Sequence, residues 1–182
     1  TPTYAALKLQ LDNWRWQGVP FYLRSGKSLA EKVSEIAIEF KQPPHMMFNL
    51  PEDSDLTSNV MSLCIQTDEG IHLKFEIKVP DSIQDSRSVD MEFHYEDTFG
   101  DEAIPEAYER LLLDALNGDA SLFARSDGIE LSWRLVDPLI QAIAGPDAPP
   151  VANYKPGSWG PIEAEELLAQ NGHFWRMVCS HL

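Results

Sequence analysis

Three cations, Arg24, Lys27 and Lys32, stand close together in FYLRSGKSLAEK, residues 21–32 of a 182-residue chain whose formal net charge is −15. A lysine ammonium is a compact, mobile point charge that suits a phosphate oxygen, and an arginine adds a planar fork of donors. Gly26 between them lets the backbone come close to a ligand. A loop of this composition at a strand end can hold a phosphate dianion. The same charges would also neutralise Glu31 and Glu35, and the residues alone leave both readings open. Other constellations are thinner. No G-x-G-x-x-G follows a strand-like run, and neither a Walker-type glycine loop nor a G-x-S-x-G elbow occurs. Gly157 and Gly160 in KPGSWGP follow a proline-rich stretch and read as a turn feeding a helix. Glu92, His94 and Glu96 share one face of a strand-like run and are a candidate metal set. Alternation produces such triplets easily, an exposed polar face accounts for them, and no metal is expected. His45, His72, His173 and His181 form no ligand spacing of their own. Paired carboxylates are plentiful and, in so acidic a chain, read as solvated faces.

The length suits one domain with a single core, and 43% hydrophobic and 10% aromatic residues argue against disorder. Charge is unevenly placed: residues 1–41 carry a net +2 and residues 42–182 a net −17. With no long basic face, a nucleic-acid backbone is excluded as a partner. No apolar run approaches the roughly 18 residues of a membrane span, and no basic-then-apolar leader opens the sequence, so the expected compartment is the cytoplasm. Cys64 and Cys179, two thiols with no such leader, are expected to be reduced and buried.

Period-two alternation marks strands in YAALKLQLD, SEIAIEFK, NVMSLCIQ, GIHLKFEIKVP and SVDMEFHY. FYLRSG is a further strand or an extended entry to a loop. NVMSLCIQ and GIHLKFEIKVP, joined by TDEG, predict a hairpin, and Lys41–Asn59, with Pro43, Pro44 and Pro51, reads as a long surface loop. The period then changes. IPEAYERLLLDALNG, DGIELSWRLVDPLIQAIAG and GPIEAEELLAQNG predict helices, with Asp127 and Glu130 in capping-box spacing, a kink at Pro138, and Gly118 and Gly172 as terminal caps. Strands first and helices afterwards predict an α+β fold: a mostly antiparallel, mixed sheet covered on one side by helices, in one domain over residues 1–182. The polar strand faces are expected to meet solvent or another subunit.

LDNWRWQGVPFYLRSGK, AYERLLLDALNGD and GSWGPIEAEELL, in that order, resemble the C-terminal part of glucose-6-phosphate dehydrogenases, and the likeness covers essentially the whole chain. It is similar to the bacterial form, since Trp159 stands where animal enzymes have an arginine. The family oxidises β-D-glucose 6-phosphate at C1, passing a hydride to NADP and giving 6-phosphogluconolactone, in the oxidative pentose phosphate pathway. The resemblance begins beyond the family's dinucleotide-binding fingerprint and catalytic histidine. It therefore implies a substrate-binding and dimerisation domain with no catalytic residue of its own, inactive alone, with NADP bound mainly by the missing N-terminal domain.

Residue by residue, the resemblance implies that Lys27 and Lys32 contact the sugar phosphate, that Gln66 lies near the substrate, and that Arg24 stands beside the site. Animal enzymes hold a second, structural NADP through basic residues. Trp159, Val33 and Cys64 occupy three of those positions here, which leaves a structural NADP doubtful. The family's dimer contact through this sheet implies a homodimer. The alternative is a non-catalytic relative surviving as a phosphosugar-binding or subunit-interaction module.

Overall fold

The computed structural model describes residues 2–42, 45, 57–66, 68–82, 85–100 and 107–179. Strands β1 (Tyr4–Gln10) and β2 (Pro20–Gly26) form an antiparallel hairpin that sets Tyr4 opposite Gly26. Strands β3 (Ser34–Glu39), β4 (Val60–Gln66), β5 (Gly70–Lys78) and β6 (Ser86–His94) form a second antiparallel sheet in that order. Helices α1 (Tyr95–Phe99), α2 (Ala107–Asn117), α3 (Ser126–Ala144) and α4 (Ile162–Ala169) follow. The fold is α+β with antiparallel sheets, as the order of periodicities predicts, and FYLRSG is a strand. The chain divides into two compact units, one of Thr1–Asp101 with Asn153–Leu182 and one of Glu102–Ala152. Most of the proline-rich segment from Lys41 to Asn59, and Pro105 before α2, lie outside the described residues.

On β4 the covered face is the one opposite the large aliphatic residues of the second sheet. Alternation puts Ile36, Ile71 and Met91 on one face of the second sheet, and they stay 49%, 43% and 60% exposed. Val60, Ser62 and Cys64, on the other face, are buried. The reason lies in what crosses them. Segment 174–179 runs over β3 and β4, where the Glu35 carboxylate accepts the Val178 N–H at 3.1 Å and the Cys179 N–H at 3.4 Å, and Arg176 pairs with Glu39 at 3.1 Å. Ser62, which pairs with Ala37 of β3, is fully buried on this face. On the hairpin, likewise, Lys8 donates to Asn171 at 2.7 Å and Arg24 turns toward Glu165 of α4, while Leu7, Leu9 and Leu23 remain exposed. The expectation that polar faces look outward is corrected at Arg24, Glu35 and Ser62. Periodicity distinguishes two faces but does not say which of them a later segment covers.

The cysteines also depart from expectation. Both are buried, but they are joined: Cys64 on β4 and Cys179 form a disulfide across 115 residues of sequence, with Cα atoms 5.7 Å apart. The Glu35 contacts bring the C-terminal segment onto β4, so the two side chains meet. In the second unit, α3 runs through Pro138 as one helix. It begins at Ser126 with Arg125 as its N-cap, so Asp127 and Glu130 do not form a capping box. Asp127 instead accepts from its own neighbour's N–H at Gly128 and from the Arg125 guanidinium at 2.8 Å. Gly118 ends α2 in the left-handed region, φ 72°, as a glycine cap requires.

On β5, Glu76 accepts hydrogen bonds from the Ser88 and Thr57 hydroxyls, the latter at 2.7 Å. The Ser88 bond, more than any other cause, holds its carboxyl below the ordinary glutamate value. A carboxylate with a lowered folded-state pKa stabilises the fold above its unfolded value, and that contribution fades as pH falls through the folded one. Glu76→Gln is therefore expected to flatten the loss of stability below about pH 4.5, the ordinary glutamate region. Urea melts at pH 6 and pH 3 check this, and equal acid sensitivity of the two proteins would count against it.

Candidate functional site

Strand β2 delivers the chain to Gly26, and the loop from Lys27 to Val33 leads into β3. Two distant segments hold this loop. The Lys27 N–H donates to Thr3 O at 2.9 Å, and the Lys27 carbonyl accepts the Tyr154 hydroxyl at 2.7 Å. Next, Gly157 N–H donates to Ser28 O at 2.8 Å and Ala30 N–H to Ser158 O at 3.1 Å, with Leu29 and Ser158 forming a parallel bridge. Ser28 sits at φ 50°, a left-handed turn that this backbone clamp supports. The loop backbone is thus fixed while the Lys27 and Lys32 residues stay exposed. A fixed backbone carrying two exposed lysines forms a surface suited to an anion.

Gln66 closes β4 directly opposite Ser34, whose hydroxyl donates to Gln66 Oε1 at 3.3 Å. Because Lys32 precedes Ser34 by two residues, Lys32 and Gln66 come to the same end of the β3–β4 pair. An amide there can pair with a sugar hydroxyl in either direction. Arg24 has a different setting. Its side chain is only 13% exposed, with the guanidinium 4.6 Å from the Trp175 ring, 5.1 Å from Trp159 and 4.0 Å from Glu165. It is a cation held between two indoles, and it ties β2 to the segment that clamps the Lys27 loop.

Tyr4 completes this underside. Its ring lies against Gly26, Gly160 and the Tyr154 ring, and burial raises its phenol pKa, with the Arg24 charge partly opposing. Tyr154 was not legible as a site residue, since its one link to the loop spans 127 positions. The only sequence sign of this support was the glycine pair in KPGSWGP.

The strand triplet Glu92, His94 and Glu96 is not assembled, because the chain leaves β6 at His94 and Glu96 belongs to α1. His72 takes its place. The β5–β6 register sets His72 opposite Glu92 and Gly70 opposite His94, and the two imidazoles meet edge to face at 4.9 Å.

Two solved structures that share this fold are dehydrogenases. One, described as glucose-6-phosphate dehydrogenase in complex with its substrate glucose-6-phosphate, superposes with a TM-score of 0.83 at 36% identity, covering 96% of this chain and 35% of that one. A second, glucose-6-phosphate 1-dehydrogenase from Mycobacterium avium, gives 0.76 at 37% identity, covering 97% and 35%. The family model for the glucose-6-phosphate dehydrogenase C-terminal domain matches residues 1–176, and the chain belongs to that family. Glucose-6-phosphate 1-dehydrogenase of Aggregatibacter actinomycetemcomitans is 44% identical over 97% of the chain, and that of Borreliella burgdorferi 45% identical over 98%. The chain spans about a third of the length of these relatives, 34% and 36%. Among the described residues, no helix is long and apolar enough to cross a membrane.

Proposed function

We propose that this chain is the substrate-holding and subunit-contact part of a cytoplasmic, NADP-dependent glucose-6-phosphate dehydrogenase of the oxidative pentose phosphate pathway. The family match over residues 1–176 carries the reading, and the clamped loop bearing Lys27 and Lys32 is consistent with it. Lys27 and Lys32 contact the phosphate dianion of glucose 6-phosphate, and Gln66 pairs with a sugar hydroxyl. Arg24 acts from beneath, keeping β2 and the 154–160 segment in place. Holding the phosphate at one end orients C1 toward a hydride acceptor and a base, and orientation alone supplies only part of the rate. Those two groups are not among the residues carried over from the family, so the chain alone makes no reduced nicotinamide from glucose 6-phosphate and NADP.

No structural NADP is assigned to this domain. Trp159 lies against Arg24 and Cys64 is tied to Cys179, so neither offers the basic contact of the animal form. Homodimerisation through the second sheet completes the reading, supported by its exposed apolar face with Ile36, Ile71, Ile77, Met91 and Phe93. The phosphosugar-binding or subunit-interaction module remains the alternative, and a dinucleotide-binding domain encoded before Thr1 separates the two.

Lys27→Ala tests the site in the intact enzyme. Loss of one charged hydrogen bond is expected to weaken glucose 6-phosphate by about 1.5–3 kcal/mol, roughly 10- to 150-fold. An unchanged KM would remove Lys27 from the phosphate site.

A further inference from the structure

We propose that His72, Glu92 and His94 form a site for a divalent first-row metal ion, zinc by preference, with Asp68 supporting His94 from behind. One ligand atom from each of the three lies within 4.8 Å of the other two. Tetrahedral zinc with bonds of about 2.0–2.2 Å holds its ligands roughly 3.4 Å apart, so closure needs about an ångström of side-chain movement. Glu92 supplies it, being 66% exposed and free to rotate, with its Oε2 already 3.9 Å from His72 Nδ1. The histidines, by contrast, are held. Their side chains are 13% and 12% exposed, which is not the setting of imidazoles on an open polar strand.

Two details point to a ligand rather than to solvated polar residues. His94 Nδ1 lies 2.7 Å from Asp68 Oδ1, leaving Nε2 to ligate. A carboxylate behind a ligating imidazole fixes the tautomer and strengthens the ligand. His72 Nε2 is buried and hydrogen-bonded to nothing among the described residues. Gly70 makes the arrangement possible, because a Cβ there would come within 3.1 Å of His94 Nδ1 and 2.4 Å of Phe93 O. Two histidines and one carboxylate leave a fourth coordination position for water, reached past exposed Glu92. Bound there, the ion would clip β5 to β6 beside the β4–β5 turn.

The test is titration of the metal-stripped chain with Co²⁺, followed by visible absorption, then displacement by Zn²⁺. The disulfide is kept intact so that thiolates do not compete. One equivalent with four- or five-coordinate cobalt bands is expected, and His94→Ala and His72→Ala should abolish it. His173→Ala should titrate as the parent does. Asp68→Asn keeps the left-handed backbone at φ 64°, which asparagine tolerates, and should bind one equivalent 10- to 100-fold more weakly. Zinc should raise the melting temperature of the parent but not of the histidine variants. If those variants fail to fold, Glu92→Gln decides on an exposed side chain, and it should lose at least tenfold in affinity. No saturable one-to-one band in the parent, or an unaltered titration after Glu92→Gln, would overturn the site.

Discussion

Opening the Cys64–Cys179 bond is expected to lower stability by about 2–4 kcal/mol. The bond closes a loop across 115 residues of sequence that includes the whole second unit. Loop-closure entropy for a ring of roughly 100 residues amounts to about 4.7 kcal/mol, an upper bound, because native contacts persist when the link is cut. Contacts beside the link would resist that release: Glu35 accepts the Val178 and Cys179 N–H groups, and Arg176 reaches Glu39. That argues for the lower half of the range. For a chain of this size the fall in Tm is roughly 5–15 °C. Melts of the oxidised chain, the chain with reductant, and Cys64→Ala with Cys179→Ala measure it. Thiol counting in denaturant without reductant should find neither sulfur free in the oxidised protein. Two titratable thiols, or coincident melts, would show that the pair does not restrain the chain.

Gly160→Ala is expected to be comparably costly, for steric rather than entropic reasons. An added Cβ would lie 2.5 and 2.7 Å from two atoms of the Tyr4 ring and 2.8 Å from its hydroxyl, at a backbone φ of +118°. Tyr4 has nowhere to retreat, because on its other side a Cβ at Gly26 would already be 2.6 Å from it and the Tyr154 ring is 5.4 Å away. Overpacking of about 1–3 kcal/mol adds to backbone strain of about 1–3 kcal/mol. Gly157→Ala is the control: φ is +81°, but nothing lies within 4 Å of its Cβ, so strain acts alone. Denaturant melts should rank Gly160→Ala as the more destabilised by at least 1 kcal/mol, in line with the overpacking range. Equal losses would reject the close approach of Tyr4. Because Tyr154, Gly157 and Ser158 bond the backbone of Lys27, Ser28 and Ala30, the same variant should also weaken glucose 6-phosphate binding in the intact enzyme.

Much of the fold was legible because it is local. Five runs of period two became strands over nearly the expected residues, and the change to helical period at Ala107, Ser126 and Ile162 was readable from apolar spacing and terminal glycines. The capping box failed for an equally local reason: Asp127 is drawn to Arg125 and the Gly128 N–H, and the helix starts two residues earlier than that motif implies.

The candidate site divides along the same line. Arg24, Lys27 and Lys32 are neighbours in sequence, so charge and type alone marked their stretch, and the resemblance implied a sugar-phosphate contact for the two lysines with Arg24 beside it. Their different surroundings were not readable. Arg24 is enclosed by Trp159, Trp175 and Glu165, which approach it from more than 130 positions away, while Lys27 stays exposed.

Residue order determined the strands, the helices and the cation cluster, since each depends on groups a few positions apart. Which face was covered, which thiols met and which histidines converged depended on pairings between distant segments. His72 and His94 face each other because β5 and β6 pair in one register, and Cys64 meets Cys179 because Glu35 holds the C-terminal segment down. A shift of one residue in the first pairing would turn His72 to the opposite face from Glu92 and His94.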